Sequence, residues 1–304
     1  MTWHVGAIVN EPQAEVLRFA AWYFDAGAHG MTLLFDNPDD PTAAIFDEHP
    51  DVTVVRCTPS FWERLGLSKD VRFARRQNLA LSWLYRQSPA DWLLNVDADE
   101  FMYIPGQSVD EFLSNQPEDI EAVRVPTAES LLTGEGEAEG HYRLPMTREA
   151  AGRVYQDDAR FFGTSRKGLV GHAWGKSFVR CGVEDISLRQ HWAQSREGRE
   201  IKERVIEVST GAALLHHIGS SYDIWRNKVD WRVGSRGFTD SLSEVVTSAL
   251  GSPNCEEQLK MVHTALHGCD DDRLKRLKAE KAHFEIPYSR CPDAIARDIL
   301  GDAV

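Results

Sequence analysis

The first hundred residues alternate short apolar runs with amphipathic stretches, and no other feature constrains the fold as strongly. Apolar runs typical of buried strands cover residues 3–9, 31–36, 51–57 and 91–96. Amphipathic stretches with apolar residues at helical spacing cover 14–27 and 70–87. This order predicts an α/β fold with a doubly wound, mostly parallel sheet. In such a sheet, ligands bind beyond the carboxyl ends of the strands.

Polar residues follow three of the four predicted strands. They are Asn10 and Glu11 after the first strand, Asp36 and Asn37 at the close of the second, and Asp97, Asp99 and Glu100 at the close of the fourth. Because the carboxyl ends of parallel strands lie at one edge of a sheet, we expect these three groups to converge there.

The sequence DADE after the fourth strand places three carboxylates within four residues. Such charges repel one another unless a cation lies among them. If the strand alternation continues, Asp97 and Asp99 lie on the same side of the chain. Mg²⁺ and Mn²⁺ prefer oxygen ligands and typically bind one or two protein carboxylates together with substrate phosphates. DADE therefore predicts a divalent metal site with room for a phosphorylated ligand. The alternative is that one acid caps the turn and the others are solvated.

Several segments resemble, in order, those of the family 2-like glycosyltransferases of the GT-A fold, in particular the bacterial subgroup with a DxDE motif. The segments are IVNEP (8–12), LLFDNPDDPT (33–42), RRQNLAL (75–81), WLLNVDADEFMY (92–103), GKSFVR (175–180) and LLHHIGSSYDIWRNKV (214–229). The chain departs from the family pattern at Val9, where lysine is common, and at Pro41, where glycine is usual. The resemblance covers 3–104 well and 174–233 moderately.

This resemblance implies transfer of a sugar from a nucleoside-diphosphate sugar to the hydroxyl group of a saccharide or another acceptor, with inversion. It implies Mn²⁺ or Mg²⁺ as the cofactor. Asp99 would bind the metal directly, Asp97 would reach the metal or the ribose, and His217 would be a third ligand. The alternative for His217 is a buried, hydrogen-bonded histidine.

The residues expected to bind the donor border its nucleoside, its diphosphate or its sugar. They are Asn10, Glu11, Asp36, Arg72, Arg76, Gln77, Asn78, Asp97 and Lys228. Arginine matches phosphate oxygens with two hydrogen bonds, and Arg72, Arg75 and Arg76 share one side of a predicted helix. A solvated helix face is the alternative for these arginines, and a turn acid is the alternative for Asp36.

The general base that would deprotonate the acceptor is not identified by one pattern. A well-placed base accelerates such a reaction by roughly 10²–10⁴-fold. The candidates are Glu100, Glu129 and Asp185, with Glu184 beside the last. Glu100 has the alternative role of supporting the turn.

The predicted domain organisation follows the same resemblance. Residues 1–220 form a GT-A-like catalytic domain, with 1–104 as a Rossmann-like nucleotide-binding half and 105–220 as the acceptor half. Within the latter, 127–172 has weak periodicity and is expected to be an irregular insertion. Residues 221–304 form a C-terminal helical extension. Its His263 and His267 lack the glutamate of a hydrolytic zinc motif, which indicates a solvated helix face.

The composition of the chain limits the classes of partner that it can bind. The 304 residues include 34 basic and 47 acidic ones, a formal net charge of −13, so we expect no binding to nucleic acid or to anionic membranes. We find no apolar run long enough to span a membrane and no signal-peptide pattern. Five widely spaced cysteines without a CxxC pair argue against a disulfide framework and a cysteine zinc site. These features predict a cytoplasmic protein.

Two other functions stay open. A nucleotidyltransferase or sugar-nucleotide pyrophosphorylase of the same fold would carry a glycine-rich loop after the first strand, where this chain has VNEPQAE. A non-catalytic nucleotide- or sugar-binding module would hold calcium in its acidic cluster. Turnover of the donor with Mn²⁺ separates an enzyme from such a module.

Overall fold

The computed structural model describes residues 1–67, 71, 73–133, 140–235 and 237–300. The chain forms two compact units. The first comprises the described parts of Met1–Pro126, Trp174–Leu214 and Pro292–Val304, and the second comprises those of Thr127–Ala173 and Leu215–Cys291. Two of the boundaries between these units, after Pro126 and after Ala173, fall at the ends of the predicted insertion. The other two fall after Leu214 and after Cys291. The predicted domains, 1–220 and 221–304, divide the chain differently and stay predictions.

The strands are, in chain order, β1 (Trp3–Val9), β2 (Gly30–Phe35), β3 (Val52–Arg56), β4 (Trp92–Asn95), β5 (Glu100–Tyr103), β6 (Ala122–Val125), β7 (Thr127–Ser130), β8 (His141–Arg143), β9 (Lys176–Arg180), β10 (Ile186–Leu188), β11 (Ala193–Ser195), β12 (Glu203–Val205), β13 (Ala213–His216) and β14 (His283–Glu285). The helices are α1 (Gln13–Asp25), α2 (Ala43–Phe46), α3 (Pro59–Arg64), α4 (Phe73–Gln87), α5 (Val109–Ser114), α6 (Arg148–Tyr155), α7 (Tyr222–Gly234), α8 (Asp240–Leu250), α9 (Cys255–His267), α10 (Asp271–Ala279) and α11 (Pro292–Leu300).

The first unit is built on a seven-stranded sheet of order β12-β6-β9-β4-β1-β2-β3. The pairs β1–β2, β1–β4, β2–β3 and β6–β12 are parallel, whereas β9 runs antiparallel to both β4 and β6. The predicted α/β fold with a mostly parallel sheet is thus confirmed. The antiparallel direction of β9 was not predicted, and it decides which residues reach the carboxyl edge of the sheet.

Helices cover both faces of this sheet. Trp3 of β1 packs edge-to-face on Tyr23 of α1, with ring centroids 6.3 Å apart. Trp92 lies beside Trp3 in the register, so the next residue, Leu93, points to the opposite face. There it joins a buried apolar cluster with Leu81 of α4. This arrangement explains why the central strands are apolar on both sides, as their continuous apolar runs predict.

In the second unit, β14, β8 and β7 lie side by side in that order. The segment expected to be an irregular insertion contributes β7, β8 and α6 to this unit. Helices α6 to α10 pack around an apolar core that includes Trp225, Leu242 and Leu259. After α10 ends at Ala279, the chain forms β14. None of the described helices combines the length and the apolar composition needed to cross a membrane.

The expectation of a solvated face for the HTALH segment is wrong. His263 is 6% exposed and His267 is 0% exposed, because α9 packs this side into the core of the second unit. His263 Nε2 lies 3.1 Å from the Gly219 carbonyl oxygen. Burial and, secondarily, the positive charge of Arg143 lower the pKa of His267 well below its ordinary value of 6.5.

The buried His267 predicts a loss of stability in mild acid. Above pH 6.5 this ring is neutral in both the folded and the unfolded chain. Below that pH the unfolded chain binds a proton that the folded chain excludes, so the free energy of unfolding falls by about 1.4 kcal/mol per pH unit from this residue. Denaturant unfolding between pH 7.5 and 5 measures this slope, which His267→Leu is expected to flatten. His49→Leu, at an exposed histidine, is the matched control, and equal slopes in wild type and His267→Leu would contradict the expectation.

Candidate active site

The DADE sequence forms a tight turn that two hydrogen bonds close. The Glu100 amide donates a hydrogen bond to the Asp97 carbonyl oxygen at 3.0 Å. The Asp97 amide in turn donates to Glu100 Oε2 at 2.9 Å. Strand β4 ends at Asn95, so Asp97 and Asp99 are turn residues and the alternation of a strand does not orient them. Glu100 is completely buried, and its carboxylate holds the turn together.

A buried lysine lies among these carboxylates. Lys176 Nζ is 3.0 Å from Asp97 Oδ2 and 3.1 Å from Glu100 Oε2. Lys176 begins β9, and its neighbour Gly175 has a φ of +74° with no space for a side chain, because a Cβ there would lie 1.9 Å from the Val125 carbonyl oxygen. An ammonium group therefore supplies part of the positive charge that the sequence reasoning gave to a metal.

A second basic side chain, Arg18, lies near the turn. Arg18 of α1 pairs with Glu15 and lies 2.7 Å from Asp293 of α11, and the charge of Asp99 also acts on it. We call the whole group the acidic turn cluster; it contains two basic side chains, Lys176 and Arg18, and five carboxylates, Glu15, Asp97, Asp99, Glu100 and Asp293. Partial burial, with the charges of Glu100 and Asp99, raises the pKa of Asp97, although Lys176 opposes the shift.

Amide side chains orient Asp97 from the side of α4. Gln77 Nε2 donates to Asp97 Oδ1 at 3.4 Å, and Gln77 is itself buried. The Gln190 side chain donates to Gln77 Oε1, while the Gln190 carbonyl oxygen accepts from Asn95 Nδ2 at 3.4 Å. Sequence reasoning singled out Gln77 and missed Gln190. The latter lies in the turn between β10 and β11, whose packing on α4 no local pattern indicates.

A second polar group lies where β2 and β3 end. Asp36 Oδ2 is 3.6 Å from Arg76 Nη2, and the Arg76 guanidinium lies over the Trp62 ring at 5.3 Å. Burial, with the charge of Asp36, raises the pKa of Cys57 to about 12. Among the described residues, no donor reaches Asp36 Oδ1 or Asn78 Oδ1, although both atoms are buried. Buried acceptors of this kind call for a donor from solvent or a ligand.

The end of β1 completes this edge of the sheet. The Asp36 amide donates to the Val9 carbonyl oxygen at 3.1 Å, which places the residues after β1 beside those after β2. Asn10 is exposed, and its amide donates to the Glu11 carboxylate at 2.9 Å. Three of the predicted groups therefore share the carboxyl edge of the parallel strands. Arg72 lies outside the described residues.

Asp185 does not join this edge. Because β9 runs antiparallel to β4, its last residue Arg180 pairs with Trp92 at the start of β4, and the chain leaves toward the amino edge. There Asp185 Oδ1 lies 2.8 Å from Arg199 Nη2, and Asp185 Oδ2 accepts from Ser195 Oγ at 2.6 Å. The hydrogen bond from Arg199 keeps the pKa of Asp185 below its ordinary value. This placement gives no support to Asp185 as the general base, one of the three candidates.

Glu129 belongs to the second unit and is completely buried. Its Oε2 is 3.0 Å from Arg143 Nη2 and accepts from the Val170 amide at 2.8 Å, and its Oε1 accepts from the Gly171 amide at 2.5 Å. Burial alone would raise the pKa of Glu129, but Arg143 above all keeps it below its ordinary value. A general base must reach its substrate and accept a proton from it. The Glu129 carboxylate is buried away from solvent, and its lowered pKa disfavours protonation.

His217 and Lys228 also belong to the second unit. His217 is buried, and its Nε2 lies 3.1 Å from the hydroxyl oxygen of Tyr142. This is the environment of a hydrogen-bonded core histidine, the alternative that the sequence left open. Lys228 is half-buried on α7. Asp97 and Asp99, the other expected metal ligands, belong to the first unit.

Two of the solved structures that resemble this chain are HddC and the mannosyltransferase PcManGT. HddC from Yersinia pseudotuberculosis is 11% identical, covers 47% of this chain and 68% of its own, and has a TM-score of 0.29. The mannosyltransferase PcManGT from Pyrobaculum calidifontis, solved with GDP-Man and Mn²⁺, is 11% identical, covers 91% of this chain and 73% of its own, and has a TM-score of 0.39. No family model and no curated protein matches the sequence. Because both TM-scores are low, these likenesses carry no conclusion about activity.

Proposed function

We propose that this protein is a metal-dependent glycosyltransferase that moves a sugar from a nucleoside-diphosphate sugar to an acceptor hydroxyl group, with inversion. The observation that carries the proposal is the gathering of carboxylates in the acidic turn cluster at the carboxyl edge of a mostly parallel sheet. Ligands of such sheets bind at this edge, and carboxylate oxygens gathered there are the ligands that a divalent cation prefers.

The donor set fits Mn²⁺ or Mg²⁺, since Asp97 and Asp99 offer carboxylate oxygens. The Asp97 side chain is 38% exposed, so it can reach a ligand while Lys176 and Gln77 hold its orientation. Asp97 and Asp99 would hold the ion. When bound, the ion offsets the negative charge that develops on the departing nucleoside diphosphate. Lys176 stays protonated, because the carboxylates beside it raise its pKa, and so it keeps Glu100 in place beneath the turn.

The donor would lie along the ends of β1 and β2. Asn10 and Glu11 would border the nucleoside, and Asp36 would accept hydrogen bonds from ribose or base hydroxyl and amino groups. Asn78 offers a second acceptor on the side of α4. Arg76 already pairs with Asp36 and lies on Trp62, so its part is to orient Asp36.

The third metal ligand, the diphosphate contacts and the general base are less directly supported by the geometry. His217 as a third metal ligand, and Lys228 and Arg72 as diphosphate contacts, are supported by the family resemblance alone. For the general base we propose none of the three candidates. Glu100 is buried in the turn, Glu129 is fully paired, and Asp185 stands at the amino edge.

The metal role of Asp99 is tested by one substitution. We expect Asp99→Asn to lower the rate of donor turnover about 100-fold or more, since removing a metal ligand removes several kcal/mol of charge stabilisation. It should also abolish the Mn²⁺-dependent rise in melting temperature with the cognate donor. The measurement is a thermal-shift panel of UDP, GDP, CDP and dTDP sugars with and without Mn²⁺, followed by assay of nucleoside diphosphate release.

Asp185→Asn is the matched control, because it removes the same charge from the opposite edge of the same sheet. It is expected to leave both readouts unchanged. The products separate the rival functions. A glycosyltransferase releases nucleoside diphosphate, and a pyrophosphorylase releases nucleoside triphosphate when given the donor and pyrophosphate. A binding module shows thermal protection without either product.

A further inference from the structure

Two histidines and a glutamate of the second unit converge on one point. Strands β8 and β14 are antiparallel, with His141 opposite Glu285 and His283 opposite Arg143. Side chains that are opposite or two residues apart share a face, so His141, His283 and Glu285 lie on the same side of the pair. Tyr142 and Phe284 occupy the other side, with ring centroids 6.3 Å apart.

The ligand atoms are as close as those around a bound ion. His141 Nδ1 lies 3.1 Å from His283 Nε2 and 3.7 Å from Glu285 Oε2, and one ligand atom from each residue falls within 4.8 Å of the others. Metal bonds of 2.0–2.1 Å in a tetrahedral site separate two nitrogen ligands by about 3.3 Å. The two imidazole nitrogens are thus already at about the spacing of two ligands of one ion, and the exposed Glu285 carboxylate lies close enough to rotate toward them.

The backbone beside these ligands is fixed. The Ile286 amide donates to the Gly140 carbonyl oxygen at 2.9 Å, which closes the strand pair next to His141. Gly140 has a φ of +80°, and a Cβ there would lie 2.4 Å from the Ile286 carbonyl oxygen. Both histidines are half-buried. The two imidazoles are thus held by packed strands, as a preorganised site requires.

The chemistry of the ligands selects the ion. Two imidazole nitrogens and one carboxylate oxygen suit a borderline ion such as Zn²⁺, whereas Mg²⁺ and Ca²⁺ prefer oxygen alone. Three protein ligands leave a fourth position for water. Glu285 is 56% exposed, and His141 also lines an open cavity of about 1860 Å³, so the ion would be reachable from solvent.

We propose that His141, His283 and Glu285 form a Zn²⁺ site that joins the short edge strand β14 to β8. The two histidines are 142 residues apart in the sequence, so the ion would cross-link distant parts of the second unit. The site lies in a different unit from Asp97 and Asp99 and does not depend on the proposed transferase function.

The test titrates Zn²⁺ into the metal-free full chain by calorimetry, in an Asp99→Asn background that removes the other candidate metal site. We expect one Zn²⁺ per chain and a melting temperature raised by about 5 °C or more at saturation. His141→Gln and His283→Gln are each expected to weaken binding at least about 100-fold, and Glu285→Gln about 10-fold. Visible absorption of bound Co²⁺ provides an independent readout of coordination by the imidazoles.

Asp272→Asn is the matched control, since it removes an exposed carboxylate of the same unit that pairs only with Lys275 among the contacts described. It is expected to bind Zn²⁺ as the parent does. Glu285 is exposed, so its variant keeps the fold even if a histidine variant does not. Failure to bind Zn²⁺, or equal binding by the parent and all three ligand variants, overturns the proposal.

Discussion

Lys176→Met is expected to lower the free energy of unfolding by about 3–5 kcal/mol, the usual cost of breaking a buried ion pair from one side. Lys176 is 1% exposed and lies 3.0 Å from Asp97 and 3.1 Å from Glu100. Methionine keeps most of the side-chain volume but removes the charge. Glu100, which has no exposure of its own, would then keep a negative charge beside Asp97 without its counterion.

Denaturant unfolding at pH 7 measures this cost. Lys202→Met is the matched control, because Lys202 pairs with Asp119 at 3.3 Å while 61% exposed, and exposed pairs contribute little. A second substitution, Glu100→Gln, should recover part of the loss in the Lys176→Met chain, since it removes the uncompensated carboxylate. A Lys176→Met chain as stable as wild type would show that the ammonium group is not the counterion of the turn.

Arg143→Met is expected to be as destabilising, by about 3–5 kcal/mol, in the second unit. Arg143 and Glu129 are both 0% exposed and 3.0 Å apart. Arg143 also donates to the Leu266 carbonyl oxygen at 2.6 Å and lies over the Phe162 ring at 5.1 Å. Removing the guanidinium strands a buried carboxylate, and it leaves the Leu266 carbonyl without this donor.

The double variant Arg143→Met with Glu129→Leu separates charge from packing. If the stranded carboxylate causes the loss, the double variant is more stable than Arg143→Met alone. Arg153→Met, at a 61% exposed arginine of the same unit, is the matched control. Amide hydrogen exchange in β7 and β8 locates the effect. A double variant less stable than Arg143→Met would refute the electrostatic explanation.

The sequence was sufficient to predict the central part of the sheet. The apolar run at 3–9 matches β1 at both ends, and β2, β3 and β4 differ from their predicted bounds by one residue at each end. Buried parallel strands are apolar on both faces, so they stand out as short continuous runs bounded by polar residues. The convergence of Asn10, Asp36 and Asp97 followed, because parallel strands bring their carboxyl ends to one edge.

The sequence could not predict which distant charges meet. A strand pattern has the same appearance in either direction, so nothing local showed that β9 is antiparallel, with Lys176 at the carboxyl edge and Asp185 at the other. The burial of His263 and His267 could not be predicted either. Polar residues on one side of a helix indicate a solvent-exposed face unless the element that packs on them is known.

What the sequence determined by itself is the set of elements and the edge where carboxylates collect, since both follow from local periodicity and from the rule that relates strand ends in a parallel sheet. What only the tertiary structure decided is the counterion of the acidic turn, the pairing of Glu129 with Arg143, and the meeting of His141 with His283. Each of these contacts joins residues that no local pattern relates. The free energy of burying a charge depends on the partner that packing brings to it.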